Sequence, residues 1–411
     1  MTAPTTTVPR SIPLDEYVPI IGQPEVDELR ALAGTLHGHS IHMVNSTAVG
    51  GGVAEILTRL VPILQELELS VQWDVITGGN DFFGITKAFH NALHGGPYLL
   101  PPESFETFLA YNQQNLCRLS MNREFTVIHD PQPVALIQGR NNHSGHWVWR
   151  CHIDLSHPNP AVWGFLEPWV KKYDAAIFSS PEFCQKLPIP QYLFFPCIDP
   201  LSEKNQDLSP ETVRRILDLY GIDAARPILT QISRFDRLKD PVGVIQAYRM
   251  VKRYFDCQLV LAGGQADDDP EGETVLSEVI EAAGVDPDVH ILNLPPWSPI
   301  EINALQHAST LIIQKSLREG FGLTVAEALW KKKPVVASAV GGIPLQVIHK
   351  HTGLLAHSVQ GAAYQIRFLL SNPALALKLG QQGHEHVREH FLITANAKRY
   401  LTLFRHLLAG G

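Results

Sequence analysis

The chain has 411 residues, of which 45% are hydrophobic, and its formal net charge is −8. That length exceeds one ordinary hydrophobic core and predicts two domains. No stretch approaches the roughly 18–20 consecutive apolar residues of a membrane span, and no basic tract occurs, so we expect neither a membrane nor a nucleic acid as partner.

Residues 1–13 are rich in threonine and proline and lack the apolar stretch of a signal peptide, so we interpret them as a flexible leader. The five cysteines are odd in number and include no C-x-x-C pair. Free thiols of this kind predict a reducing, cytoplasmic location rather than a disulfide framework.

Apolar runs typical of strands alternate with helical patterns along residues 14–204. The first strand is predicted at 40–45, followed by a glycine turn and by a helix from Val53 that carries its apolar residues on one face. Pro62 is expected to kink this helix or to blur its start. Further strands are predicted at 71–77, 125–129, 175–179 and 192–195.

A polar stretch at 205–210 predicts the domain junction, and a second series follows as far as residue 390. Its strands are predicted at 228–233, 258–262, 289–292, 310–314 and 334–338, with helices such as 242–254 and 300–308 between them. Strands that alternate with helices form parallel sheets. We therefore predict an α/β protein with two Rossmann-like domains facing each other across a cleft that holds the ligand.

A triple glycine, 50–52, lies between the first strand and the first helix. Glycine lets the backbone approach a ligand, and the amides of a helix N-terminus attract anions. The dinucleotide fingerprint is absent, because it needs a glycine or alanine where Glu55 stands. A plain tight turn explains the same residues equally well.

Histidines and carboxylates follow two apolar runs of the first domain. His129 and Asp130 close the predicted strand 125–129, and His152 and Asp154 close a run rich in tryptophan. Strand ends face the ligand crevice of an α/β domain, where such side chains bind sugar hydroxyls. A structural histidine with a backbone partner is the alternative for each one.

Two groups of residues suggest metal ligands, and neither convinces. His143, His146, His152 and His157 are placed on a predicted loop, and their spacing matches no common zinc pattern. The run 267–269, three aspartates, lies between a glycine and a proline and is interpreted as a solvated loop tip. We assign no metal site.

The loop after the predicted strand 228–233 carries Arg234 and Lys239, five residues apart. A diphosphate leaving group needs positive charge where its negative charge grows, and both side chains suit phosphate. A solvated loop cation is the alternative for each residue taken alone.

Two carboxylates, Glu319 and Glu327, stand eight residues apart across a glycine turn that opens a helix. Strand, glycine turn and helix together present backbone N–H groups to a phosphate. The same helix start also contains Thr324-x-x-Glu327, the pattern of a capping box, in which the glutamate binds a backbone N–H.

These motifs, R-x4-K followed by E-x7-E, resemble those of retaining glycosyltransferases of the GT-B type. The resemblance is closer to the trehalose glycosyltransferring synthases and covers roughly residues 14–408. It is carried by residues 44–57, 82–83, 86–93, 129–133, 149–154 and 314–330. Retaining trehalose phosphorylases share much of the pattern.

The resemblance implies that glucose moves from a nucleoside diphosphate glucose, UDP- or ADP-glucose, to free glucose, giving α,α-trehalose reversibly and with retention. A phosphorylase, or a binding regulator without catalysis, stays an alternative, and a dehydrogenase is disfavoured by the missing fingerprint. A final helix is predicted at roughly 384–408. The resemblance implies that the chain crosses back here and that the C-terminal helical segment, 391–411, joins the first domain. No cofactor is implied, and no divalent metal is required because arginine and lysine supply the charge, although a metal could stimulate the reaction. The preferred nucleobase and dimerisation stay open.

The resemblance also assigns roles to individual residues. Arg234, Lys239 and Glu319 would be catalytic, with Glu319 at the donor glucose and Glu327 at the ribose, and no residue serves as covalent nucleophile. The donor site would comprise Gly51, Gly52, Arg234, Lys239, Leu294, Gly320, Phe321, Gly322, Leu323, Thr324 and Glu327. The acceptor site would comprise Lys87, His129, Asp130, His152 and Asp154.

Overall fold

The computed structural model describes residues 12–48, 51–140, 145–264, 272–295 and 298–410. The chain divides into two compact units, Met1–Cys197 with Ile393–Gly411, and Ile198–Leu392. These divisions differ by a few residues from the expected boundaries at 204/205 and 390/391. Each unit contains a six-stranded parallel sheet with helices between the strands, so the predicted α/β fold with two Rossmann-like halves is confirmed.

The first unit is built on a sheet with the strand order β2-β1-β3-β4-β5-β6. Its strands are β1 Ser40–Asn45, β2 Ser70–Val75, β3 Phe125–His129, β4 His146–Arg150, β5 Ala175–Phe178 and β6 Gln191–Leu193. Its helices are α1 Val18–Ile21, α2 Gln23–Gly34, α3 Gly52–Glu66, α4 Asn80–Leu93, α5 Glu103–Arg118, α6 Pro160–Val170 and, from the end of the chain, α15 Ile393–Leu408.

The second unit has the strand order β12-β11-β10-β7-β8-β9. Its strands are β7 Ile228–Ile232, β8 Gln258–Gly263, β9 Val289–Asn293, β10 Leu311–Gln314, β11 Val335–Ser338 and β12 Leu354–Ala356. Its helices are α7 Pro210–Leu219, α8 Pro241–Lys252, α9 Gly272–Ala283, α10 Pro299–Ala308, α11 Leu323–Trp330, α12 Ile343–Gln346, α13 Val359–Ser371 and α14 Pro373–His390.

The central strands are buried along their whole length, which explains their continuous apolar sequence. Every residue of β3, β7 and β10 is buried. In all-parallel sheets, helices generally cover both faces. Pro62 lies inside α3 and is itself buried, so the helix continues past the proline instead of starting after it.

The prediction of one continuous C-terminal helix at 384–408 is wrong, because the structure has two helices there. α14 ends at His390, and α15 begins at Ile393. Between them the Phe391 carbonyl accepts a hydrogen bond from the Ile198 N–H at 2.9 Å, and Leu392 forms a parallel bridge with Ile198. These two contacts with Ile198 hold the connection between the two helices. α15 then packs against α2 and α3 of the first unit.

The strand order of each sheet reverses direction at one point, between β1 and β3 in the first unit and between β7 and β10 in the second. The loops that follow the two strands at such a point diverge and leave a crevice, which is where ligands bind open α/β sheets. Within the described residues, no helix has the length and apolar character needed to cross a bilayer.

Candidate active site

Two loops meet at the strand-order reversal of the second unit. One follows β7 and leads through a short 3-10 turn, Arg237–Lys239, into α8, and the other follows β10 and leads into α11. The Leu317 N–H donates to the Leu238 carbonyl at 2.7 Å, and the Lys239 ammonium group donates to Glu319 Oε2 at 2.7 Å. The predicted phosphate-binding lysine and the predicted sugar-binding glutamate, 80 residues apart, are therefore in contact.

The Glu319 carboxylate is held by three donors on one oxygen. Besides Lys239, the Gln314 amide donates to Oε2 at 3.3 Å and the Ser316 hydroxyl at 3.1 Å. The side chain of Glu319 is 8% exposed and that of Lys239 is 20% exposed. Charge-assisted hydrogen bonds in such a partly desolvated place are stronger than those in water. They fix the orientation of the carboxylate before a ligand arrives.

Asp240 holds the loop that carries Arg234 and Lys239. It adopts the left-handed conformation, with φ 50°, and its carboxylate caps α8 by accepting the Gly243 N–H at 3.0 Å. The same carboxylate pairs with Lys315 of the neighbouring loop. Arg234 has a side chain that is 40% exposed, with its guanidinium group 4.0 Å from the carboxylate of Asp236. Of the two predicted phosphate-binding residues, Arg234 is thus the more exposed and Lys239 is partly buried.

The glycine turn after Glu319 packs closely against a second glycine pair, Gly341 and Gly342. A Cβ atom on Gly341, which has φ +53°, would lie 1.6 Å from the Glu319 carbonyl oxygen. The buried Gln346 amide donates to the Phe321 carbonyl at 2.5 Å. Gly322, with φ +84°, then starts α11. The donor-site residues Gly320, Phe321, Gly322, Leu323 and Thr324 therefore form one closely supported turn and helix start.

Glu327 does not cap its helix, so the capping interpretation is wrong. α11 begins at Leu323 after Gly322, and no side chain caps it. The Glu327 side chain is fully buried, with Oε1 3.2 Å from the Lys204 ammonium group and Oε2 3.3 Å from the Gln306 amide. Burial alone would raise the pKa of Glu327, but the charges of Lys204 and Lys331 outweigh it and lower the pKa. The lowered pKa favours the ionised form of this buried carboxylate.

The other donor-site prediction in this unit, Leu294, follows β9, two strands away from β7. Its side chain is 4% exposed, and its N–H donates to the Gly263 carbonyl at 2.8 Å. The aspartates 267–269, together with Gly50, His143 and most of the leader, residues 1–11, lie outside the described residues.

The first unit gathers three of the predicted acceptor residues at the carboxyl ends of β3 and β4. His129 Nδ1 is 3.1 Å from His152 Nε2, and the Asp130 carboxylate accepts the His152 N–H at 2.7 Å. Asp130 has φ 68°, a strained conformation for a residue other than glycine, and such strain is concentrated at functional sites. Burial raises the pKa of Asp130 to about 7, and burial with the charge of Arg150 lowers the pKa of His129 to about 3.

The remaining candidates of this unit are placed on neighbouring elements. Gly51 precedes α3 as its cap, Gly52 starts that helix, and Lys87 is partly buried on α4. Asp154 accepts the Ser156 N–H at 2.8 Å and so shapes its own turn. The structure therefore brings His129, Asp130 and His152 into one cluster, whereas Asp154 is used in a local turn.

Several residues around these sites are absent from the sequence-based assignment. β4 is an additional strand, so His146 lies in a sheet and not on the predicted loop. Arg150 at the end of β4 is fully buried and donates to the Phe194 carbonyl at 2.5 Å. Lys204 lies in a polar turn, where nothing in the sequence distinguishes a functional lysine from a solvated one. Gln314 and Ser316 lie within the segment that carries the resemblance, but the resemblance assigned no role to them.

Comparison with known proteins matches a glycosyltransferase family description to each unit. The family described as "Trehalose synthase, N-terminal domain" matches residues 43–185, and "Glycosyl transferases group 1" matches residues 214–386. A trehalose synthase of Pyrococcus horikoshii is 44% identical over 96% of each chain. One of Rubrobacter xylanophilus is 43% identical over 96% of this chain and 97% of that protein. A trehalose phosphorylase of Pleurotus pulmonarius is 28% identical over 95% of this chain but 60% of its own length.

Solved structures with the same GT-B fold are more distant in sequence. An α,α-trehalose-phosphate synthase (UDP-forming) from Burkholderia vietnamiensis has a TM-score of 0.74 and 14% identity, covering 91% of this chain and 100% of that one. A sucrose-phosphate synthase from Thermosynechococcus elongatus has a TM-score of 0.71 and 19% identity, with the same coverage. At these identities the similarity establishes the fold alone.

Proposed function

The chain belongs to the trehalose synthase family of glycosyltransferases, and on this premise we propose that it transfers glucose from a nucleoside diphosphate glucose, UDP- or ADP-glucose, to free glucose. The product is α,α-trehalose, the anomeric configuration is retained, and the reaction is reversible. The proposal is supported by the family and by the arrangement of charges at the carboxyl ends of β7 and β10.

The contact between Lys239 and Glu319 carries this proposal. Without a ligand, the glutamate neutralises the lysine at 2.7 Å. A donor diphosphate, placed between Arg234 and Lys239, would replace Glu319 as the partner of the lysine. The released carboxylate then accepts hydrogen bonds from glucose hydroxyls. Fixed cations at the diphosphate stabilise the charge that develops as the sugar leaves, and they do so without a divalent metal.

The reaction conserves atoms and protons without an additional group. The bond between the glucose anomeric carbon and the diphosphate oxygen breaks, and a bond from the same face of that carbon to an acceptor hydroxyl oxygen forms. The departing diphosphate accepts the proton of the acceptor hydroxyl. No protein residue is assigned as a covalent nucleophile.

The first unit supplies the acceptor site in this proposal. The depressed pKa values of His129 and His152 keep both imidazoles neutral near pH 7. A neutral imidazole both donates and accepts, which suits a sugar hydroxyl. Asp130 adds a buried carboxyl group beside them. Lys87 and Asp154 complete the proposed set.

We place the reaction in the cytoplasm, because the five cysteines are free thiols in the structure. A trehalose phosphorylase is the second candidate, since one such enzyme is 28% identical over 95% of this chain. It ranks second because the synthases match at 43–44% over nearly their whole length. A regulator without catalysis is disfavoured, because all four charged residues of R-x4-K and E-x7-E are present.

A donor screen tests the proposal. The purified protein is incubated with glucose and with UDP-, ADP- or GDP-glucose, and trehalose and released nucleoside diphosphate are quantified. A parallel reaction contains trehalose and inorganic phosphate. We expect trehalose from at least one nucleotide sugar, and trehalose formation about 10²–10³-fold slower from the Arg234→Ala protein prepared in the same way. Rapid phosphorolysis without any use of nucleotide sugars would establish the phosphorylase instead. Thermal stabilisation by nucleotide sugars without turnover would establish the regulator.

A further inference from the structure

A compact polar turn, residues 199–206, follows the point where the chain enters the second unit. The Asn205 amide donates to the Asp199 carbonyl at 3.0 Å and to the Ser202 hydroxyl at 3.1 Å. Asn205 itself is 3% exposed. The turn therefore has its own internal hydrogen bonds and a defined shape.

The polar turn is also fastened to α10 and to the end of α11. The Asn303 amide of α10 donates to the carbonyls of Glu203 and Gln206 at 2.9 and 2.8 Å. The Lys331 ammonium group, just after α11, donates to the Asn205 side-chain oxygen at 3.0 Å. Three hydrogen bonds from outside the turn, to residues 203, 205 and 206, therefore hold it on both sides of Lys204.

Lys204, in the middle of the polar turn, contacts Glu327 across 123 residues of sequence. The two side chains are 3.2 Å apart, with Lys204 23% exposed and Glu327 fully buried. On the opposite side of the carboxylate, Gln306 donates at 3.3 Å from α10. Both oxygens of Glu327 therefore have a partner supplied from outside its own helix.

A buried carboxylate keeps its charge only where positive groups face it. Lys204 faces Glu327 from the polar turn, Lys331 from the end of its own helix, and the neutral Gln306 from α10. Burial acts to raise the pKa of Glu327, and the two lysines reverse the direction, Lys204 having the larger effect. Without Lys204, the carboxyl group would bind a proton at a higher pH.

We propose that Lys204 is a positioning residue, which keeps Glu327 ionised and oriented to accept hydrogen bonds from the ribose hydroxyls of the donor nucleotide. The inference rests on the proposed function, because it requires a nucleoside diphosphate in this unit. Lys204 is the more exposed member of the pair. A direct contact of its ammonium group with the nucleotide is therefore the alternative that the experiment must separate.

The test measures binding of UDP, ADP and GDP by isothermal titration between pH 5 and 8, on protein that thermal melts show to be folded. We expect Lys204→Met to bind about tenfold or more weakly at pH 7, and its affinity to decline with falling pH at a higher pH than in the wild type. Lys204→Arg should restore much of the affinity because it restores the charge. Should Lys204→Met fail to fold, Lys204→Gln is measured in its place.

Two comparisons make the result specific. In a Glu327→Gln background, Lys204→Met should have little further effect, because the residue acts through Glu327. Lys252→Met is the matched control, since Lys252 pairs with Asp286 and Asp288 elsewhere in the unit. That variant should lose stability and keep its affinity for the nucleotide.

The outcomes separate the inference from its premise. If the wild type binds a nucleoside diphosphate and Lys204→Met has the same affinity and pH dependence, the inference is overturned and the proposed function stands. A full loss of affinity from Lys204→Met in the Glu327→Gln background would show direct contact with the nucleotide and would overturn it too. A wild type that binds no nucleoside diphosphate would refute the proposed function, and the inference with it.

Discussion

Arg234→Ala and Lys239→Ala should separate catalysis from stability, because the two cations have different surroundings. Arg234 has a side chain that is 40% exposed, and its guanidinium group lies 4.0 Å from Asp236. Lys239 is 20% exposed and directly paired with Glu319, which is 8% exposed. We expect both variants to lose turnover and the lysine variant alone to lose substantial stability.

The magnitudes follow from these contacts. Loss of one preorganised electrostatic contact to a leaving group lowers kcat by about 10²–10³-fold. An exposed ion pair at the distance of Arg234 contributes about 0–1 kcal/mol, so Arg234→Ala should melt close to the wild type. Lys239→Ala leaves the buried Glu319 carboxylate with neutral donors alone, Gln314 and Ser316. This should lower the free energy of unfolding by about 1–3 kcal/mol.

The assay is initial-rate trehalose formation at saturating donor and acceptor, beside urea unfolding of the same preparations. Arg237→Ala is the matched control, because Arg237 lies in the same loop and pairs with Glu278, with both side chains exposed. It should keep nearly full turnover. Near-normal rates for both Arg234→Ala and Lys239→Ala would refute the assignment of this loop to the diphosphate. A rate loss in Lys239→Ala no larger than its unfolded fraction would refute the catalytic role of the lysine.

Three further predictions test the donor unit. Glu327→Gln should weaken nucleoside diphosphate binding about tenfold. Glu319→Gln should leave that binding unchanged and lower turnover. If isothermal titration gave equal, undiminished affinities for both variants, the assignment of Glu327 to the ribose would be contradicted. Gly341→Ala should lower the free energy of unfolding by several kcal/mol and abolish activity, because the new Cβ atom would meet a backbone oxygen. In the control Gly221→Ala, φ is +65° but the space around the residue is open, so urea unfolding should show a loss of only about 1–2 kcal/mol. Asp288 pairs with Arg226 and Lys252, which lower its pKa. The ionised Asp288 therefore stabilises the folded protein above its unfolded pKa of about 3.9, and this contribution is lost as the pH falls toward the folded pKa. Thermal melts should show Asp288→Asn to be destabilised at pH 7 and nearly equal to the wild type at the acid end.

Much of the fold was predictable because it depends on local pattern. β1 and β3 lie at the predicted residues, 40–45 and 125–129, since strands buried on both faces have continuous apolar sequences. β4 was harder to recognise as a strand because its charged and aromatic residues, among them Arg150, have partners only in the folded sheet.

The site residues divide in the same way. The spacing that singles out Glu319 and Glu327 is local, and the structure places both in the turn and helix that the spacing predicts. The capping interpretation of Glu327 failed because the glycine turn starts the helix one residue before Thr324, which leaves the glutamate facing inward. Which neighbour then meets the carboxylate depends on the packing of Lys204.

The sequence by itself determined the alternation of strands and helices, the glycine turn and the identity of the charged residues near it, because backbone preference and hydrophobic period act over a few residues. The tertiary structure alone decided which charges meet. Lys239 reaches Glu319 across 80 residues, and Lys204 reaches Glu327 across 123. The first contact forms because β7 and β10 are neighbours in the sheet, although two strands separate them along the chain. The second forms because a turn far back in the chain is fastened to α10.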